Sequence, residues 1–388
     1  MMRALFPPGL LVAGLLLAQP ASGQAPARPG APATAPAAVP AATVPERPTG
    51  LRLETVLQVR GPGGRWGTPM VDEVNRRLYL PRGVAGLGVL SLDGFKPLAD
   101  VPETAGSAAV ALDPETLRGF SANALEVKPG GPLATEITVF DQRGFKPVGR
   151  IALAGVRHIL YDAATKQVVA AGDGGVISLI DPVKLSVTTT IQLDGKLVTA
   201  LAADRRGRVF AALGDRDAIA VLDMVAKRMA TTWKPEGCRL PISALYDNFA
   251  QKLVVACRGG VPEGGGTAVG PTGLMLDSFT GKPGATFVVP NPVDSVIQDA
   301  QNRLLYFASG GSATVLVYRQ LDTVQFEPLE SAGMRVLAGM GAVDGRTGRL
   351  ILASAEFVAT AARQDGSGGM RILPNSFALL VMKRLPLE

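Results

Sequence analysis

His158 is the only histidine, and Cys238 and Cys257 are the only cysteines, in 388 residues. These counts limit the chemistry at once. One histidine cannot build a multi-histidine metal site. A Ser-His-Asp relay would have to use His158, yet no G-x-S-x-G nucleophile motif is present. The two cysteines form no C-x-x-C, C-x-x-C-H or paired Cys/His spacing, which argues against a zinc-finger-type centre and a c-type haem attachment. A calcium site needs only oxygen ligands, but no EF-hand or D-x-D-x-D run marks one. We therefore expect no cofactor and no resident metal. The runs Gly259-Gly260 and Gly264-Gly265-Gly266 lack the preceding strand and the following Lys-Ser/Thr pair of a phosphate loop, and read as a mobile loop.

Anion capture is the chemistry that the remaining polar residues suggest. Arg65 and Trp66, Arg157 and His158, Lys196, Arg239, and Arg335 each stand in a short segment that leads into an apolar strand. Cations gathered around a narrow opening attract anions, because a low-dielectric cleft focuses the field. The planar fork of arginine suits carboxylate and phosphate. The competing reading is a set of independent solvated charges. Asp173, Asp215, Asp217, Glu263 and Glu356 lie in adjacent loops and would neutralise part of such a ring. The net charge of +6 and pI of about 9.4 are spread along the chain. No Lys/Arg run of the kind that binds nucleic acid occurs. The expected partner is a protein or a small anionic ligand.

The elements that must hold these residues form a repeat. An apolar strand, an Asp, a polar turn and a second apolar strand recur at Asp72, Asp113, Asp162, Asp204, Asp247, Asp299 and Asp344. The intervals are 41, 49, 42, 43, 52 and 45 residues. Seven copies at this period match four-stranded propeller blades. Asp accepts backbone amides two residues on and so closes a hairpin, which makes these aspartates turn formers rather than catalysts. A third strand follows, as in Ile137-Thr138-Val139-Phe140-Asp141 and Ile219-Ala220-Val221-Leu222-Asp223. A fourth is clear in Val187-Thr188-Thr189-Thr190-Ile191. The seventh copy ends after its third strand, whereas Leu53–Val59 is a strand with no blade of its own. The chain is thus expected to be all-β: a seven-bladed propeller over residues 51–388, closed by the N-terminal strand completing the last blade. Closure removes two sheet edges.

Strand reversal places every second-to-third loop on the same side as the segments leading into the blades. Three of these loops are long: Ser121 to Leu133, Arg258 to Thr272, and Ser354 to Asn375. Long loops on a rigid scaffold commonly bind ligands; tolerated surface insertion is the other reading. Cys238 precedes the first strand of copy five and Cys257 ends its second. Antiparallel pairing would bring them together as a disulfide, the alternative being two buried thiols.

The N-terminus reads as an export signal. Arg3 precedes the apolar run Leu10–Ala18, and Ala21-Ser22-Gly23 follows with small residues. We assign 1–23 as a signal peptide of the general secretory route and 24–50 as an Ala/Pro-rich flexible linker. The apolar run is well short of the ~20 residues that span a bilayer. The expected location is periplasmic or secreted, without a membrane span, and such an oxidising compartment favours a disulfide.

Tyr161-Asp162-Ala163-Ala164-Thr165-Lys166-Gln167-Val168-Val169-Ala170, continued by Gly175-Val176-Ile177-Ser178-Leu179-Ile180-Asp181, resembles the YVTN-type repeat of YncE-like bacterial β-propellers. The resemblance covers nearly all of residues 51–388 and is specific for architecture. It implies a binding or scaffold propeller. Related propellers also serve as lactonases and as large subunits of periplasmic quinoprotein amine dehydrogenases. The resemblance therefore keeps two alternatives open: a lactonase-like hydrolase at the channel mouth, and a non-catalytic propeller subunit of a periplasmic oxidoreductase. No catalytic residue carries over from those relatives, so we expect a binding or scaffold propeller rather than an enzyme.

Overall fold

The computed structural model describes residues 50–128, 130–261, 266–360 and 369–384. Residues 1–23, which the sequence marks as an expected signal peptide, almost all of the Ala/Pro segment, and Glu263, Gly264 and Gly265 lie outside these residues. The described chain is all-β, with seven four-stranded antiparallel sheets. Blade 1 runs through Met70–Asp72, Arg77–Pro81, Leu87–Ser91 and Pro97–Val101, and blade 2 through Ser107–Asp113, Arg118–Asn123, Glu136–Asp141 and Pro147–Ala152. Blade 3 holds His158–Asp162, Gln167–Ala171, Val176–Asp181 and Ser186–Gln192, and blade 4 Val198–Ala203, Arg208–Leu213, Ala218–Asp223 and Arg228–Trp233. Blade 5 holds Pro241–Asp247, Lys252–Cys257, Thr272–Asp277 and Pro283–Phe287, and blade 6 Ser295–Asp299, Leu304–Ser309, Thr314–Gln320 and Phe326–Gly333. Blade 7 is built from Met340–Asp344, Arg349–Ser354 and Ala378–Arg384. Its outermost strand is Leu51–Gln58, which pairs antiparallel with Ala378–Arg384. The molecule is a seven-bladed β-propeller closed by its N-terminal strand, as the unpaired first strand indicated.

The turn chemistry works as the repeat predicts. Six of the seven blade aspartates accept a backbone N–H two or three residues on, from Asn75, Glu115, Ala164, Arg206, Phe249 and Asn302. Asp344 instead takes the Thr347 hydroxyl and the Arg76 guanidinium.

Second and third strands read as near-continuous buried runs, such as Val209–Leu213 and Ile219–Leu222, because each blade is covered on both faces by its neighbours. The apolar interior is accordingly divided into wedges, one in each seam. Phe210, Ala212 and Val221 of blade 4 meet Leu253, Val255 and Leu274 of blade 5. Leu304, Tyr306 and Val317 of blade 6 meet Leu350, Leu352 and Met382 of blade 7. The last seam packs Leu78 and Leu90 of blade 1 on Ile351 and Leu379 of blade 7. Within blade 2, Gly119 leaves room for the ring of Phe140 on the neighbouring strand, which a Cβ there would run into. Among the described residues, no helix is long and apolar enough to cross a membrane.

Candidate functional site

Antiparallel order gives the disc two chemically different sides. On the turn side lie the hairpins joining strands one to two and three to four. On the loop side lie the second-to-third loops and the segments leading into each blade. Hydrogen bonds tie these two sets together: Gly259 N–H donates to Arg239 O at 3.0 Å, and Ala124 N–H to Gly106 O at 2.9 Å. All three long loops therefore root on the loop side. The long blade 7 loop is not irregular throughout: it contains a two-stranded hairpin of its own, Phe357–Thr360 with Gly369–Ile372. The β-branched and aromatic residues of Phe357-Val358-Ala359-Thr360 are the signal that marks it.

Every cationic residue singled out from sequence sits in a segment on this side, but they divide by environment. Arg239 is engaged: its Nη1 lies 2.7 Å from Asp217 Oδ2, and its Nη2 donates to Val261 O at 3.1 Å. Asp217 also accepts the Leu240 N–H at 2.7 Å, so this carboxylate of blade 4 fixes the segment leading into blade 5. The adjacent Cys238 and Cys257 form a disulfide, with Cα atoms 5.3 Å apart, at the root of the blade 5 loop. Arg258 repeats the device one blade on, pairing with Asp294 at 2.6 Å while Asp294 accepts the Gly310 N–H at 2.7 Å. Arg239 is thus a seam fastener with its charge compensated.

Trp66 is half-buried, not offered at the mouth. Its ring meets Phe377 edge-on at 5.5 Å and joins the wedge between blades 7 and 1. Arg65, Arg157, Lys196 and Arg335 are exposed. Among the described residues none of these four enters an ion pair. The Lys196 and Leu197 amides donate to Asp215 at 2.8 and 3.0 Å. Burial pushes the Asp215 carboxyl up, yet these amide donors prevail and hold it below its ordinary value.

His158 begins the innermost strand of blade 3. Burial first, and the Arg157 charge second, push its imidazole down to about 4. It is neutral at neutral pH, and it makes no side-chain hydrogen bond to a described residue. Among the described residues, no group of three or more His, Cys, Asp or Glu could hold a metal ion.

The turn side carries a cleft of about 200 Å³ between blades 2 and 3, lined by Asp113, Tyr161, Lys166, Gln167 and Pro182 among others. Lys166 pairs with Glu115 at 2.9 Å on its rim. Arginines at the start of second strands clamp neighbouring blades on this side. Arg77 donates to Gln142 O and stacks on Phe145, and Arg208 donates to Ser278 O and stacks on Phe279. Sequence inspection alone did not single out these clamps, because each joins residues some 65 to 70 positions apart.

Taken together, the ring and its two sides define the class: a seven-bladed β-propeller with an elaborated loop side. The crystal structure of the RRP9 WD40 repeats is similar, with a TM-score of 0.65 and 12% identity, covering 86% of this chain and all of that one. The structure of U3-55K gives 0.64 and 12%, covering 84% and 98%. Hydrazine synthase of Kuenenia stuttgartiensis gives 0.59 and 11%, covering 80% and 96%. At these identities the likeness is one of fold. No protein-family model matches the chain, and no curated protein matches it in sequence.

Proposed function

We propose that the chain is an exported binding propeller that docks a protein partner on its loop side, with exposed Arg65, Arg157, Lys196 and Arg335 meeting anionic groups of that partner or a small anionic ligand. The observation that supports this most is the blade 7 hairpin. Phe357 faces Ile372 and Ala359 faces Met370 on one surface, and Phe357, Val358 and Met370 are exposed. A lone two-stranded hairpin is marginal in water. Its free edges and uncovered apolar face are features of a surface that pairs with something else.

The test is site-specific photo-crosslinking in the native host, with the probe at Met370 and a control probe at Leu98 on the outer strand of blade 1. A discrete protein adduct from Met370, absent from Leu98 and lost in Phe357→Glu, is expected. The same adducts from both positions, or none from Met370, would remove the loop side as the docking face.

A further inference from the structure

The four most exposed large apolar side chains among the described residues all lie on the turn side: Val74 at 91%, Val225 at 76%, Phe279 at 71% and Val183 at 64%. Three of them, Val183, Val225 and Phe279, occupy one structural position, and Val324 of blade 6 stands in a turn that begins three residues further along its strand. In blades 3 to 6 the third strand, or the residues just beyond it, supplies an Asp whose Oδ1 accepts the amides two and three residues on. The pairs are Val183 and Lys184 from Asp181, Val225 and Ala226 from Asp223, Phe279 and Thr280 from Asp277, and Val324 and Gln325 from Asp322. The carboxylate closes each turn, so the tip side chain has no part in holding it. Turn chemistry favours small polar residues at such tips. Phe279 also carries the Arg208 guanidinium that clamps blades 4 and 5, but Val183, Val225 and Val324 are not needed to close their turns, and exposed apolar tips cost solubility.

The charges beside the tips are also arranged. Lys184, Lys227 and Lys282 follow their tips by one, two and three residues, and all three are exposed. Each turn aspartate gives Oδ1 to the turn amides, and Oδ2 of Asp181 and Asp277 lies 3.9 and 3.5 Å from the Lys184 and Lys252 ammonium groups. Burial acts against Asp181 and Asp277, but the hydrogen bonds of Lys184 and Thr280 dominate and keep both carboxyls below their ordinary values. The tips themselves are therefore hydrocarbon bordered by lysine ammonium groups.

From this arrangement we infer that the turn side of blades 3 to 6 docks on an anionic phospholipid bilayer. In blades 3 to 5 the same turn at the same register carries the tip. The tips belong to separate blades, so they form no continuous patch for a globular partner. Isolated apolar tips among lysines suit a surface that is flat, soft and negative, where each tip enters the interface separately. Apolar burial and attraction to anionic headgroups add in such binding, each lysine near the surface contributing roughly fivefold in affinity. The loop side would then face away from the membrane, free for its own partner.

The experiment uses the full chain with vesicles of phosphatidylglycerol and phosphatidylethanolamine, and with phosphatidylcholine vesicles as the neutral reference. Phe279→Trp is expected to show a blue-shifted emission on the anionic vesicles and quenching by brominated phosphatidylglycerol. Val358→Trp, on the opposite side, is expected to show neither. Val183→Glu with Val225→Glu should lower co-sedimentation with anionic vesicles by about tenfold or more, with an unchanged melting temperature as the folding control. Absence of quenching at Phe279→Trp, equal binding to neutral and anionic vesicles, or undiminished binding of the double variant would each overturn the inference.

Discussion

Glu330 of blade 6 should hold the ring shut. Its side chain is almost wholly buried, and Oε2 accepts the Leu51 N–H at 2.9 Å, at the first residue of the closing strand. Oε1 lies 3.0 Å from Arg384 Nε as an ion pair, although the two are not aligned as a hydrogen bond. Glu330→Ala leaves a buried N–H without an acceptor, which costs about 1–3 kcal/mol. It also leaves a guanidinium with its partner removed. A fully buried broken pair costs about 3–5 kcal/mol. Arg384 keeps some solvent and the pair is misaligned, so a smaller share applies, and the expected total is about 2–4 kcal/mol. For a ring of this size the entropy of melting converts this to a fall of roughly 3–6 °C in Tm. Glu54 provides an internal comparison. It lies on the same strand and pairs with Arg349 at 2.7 Å, but at the surface. Glu54→Gln is expected to cost about 1 kcal/mol or less. Calorimetry gives the two Tm values, and hydrogen exchange across 51–58 shows whether the closing strand has loosened. If Glu330→Ala melts within a degree of wild type, or no lower than Glu54→Gln, the closure argument fails.

Three further perturbations have definite outcomes. Replacing Cys238 and Cys257 by Ser removes a cross-link across 19 residues; the chain-entropy loss predicts about 3 kcal/mol, read as a lower denaturant midpoint with unchanged slope. His158 titrates near 4 when folded and near 6.5 when unfolded, so the unfolded chain binds more protons between those values. Stability present above pH 6.5 should fall as the pH drops towards 4, and His158→Gln should flatten that part of the profile; an imidazole titrating near 6.5 by NMR would contradict the burial. Asp217→Asn releases Arg239 and should raise the affinity of the loop side for inorganic phosphate by about two- to fivefold, whereas Arg157→Ala with Arg335→Ala lowers it. Identical titration heats for both variants and wild type would dismiss a cationic mouth.

The blade count and the closure were legible in the sequence because both rest on local chemistry. An Asp that caps its own turn needs nothing from the rest of the chain, so its spacing counts the blades. Strand lengths and the unpaired segment beginning near Leu53 then leave ring closure as the way to remove the edges. Strand order placed the long loops on one side for the same reason. The use of each side chain was decided by the tertiary structure. Arg239 reads as a free cation until Asp217 of the preceding blade meets it, and Trp66 reads as an exposed aromatic until Phe377 covers it. Glu330 gave no sign in the sequence, since its partner Leu51 lies 279 residues away. Capping, patterning and turn formation act over a few residues and leave a record in their spacing. Contacts across a seam are set by how whole sheets pack, and pairing over such distances leaves no local pattern to read.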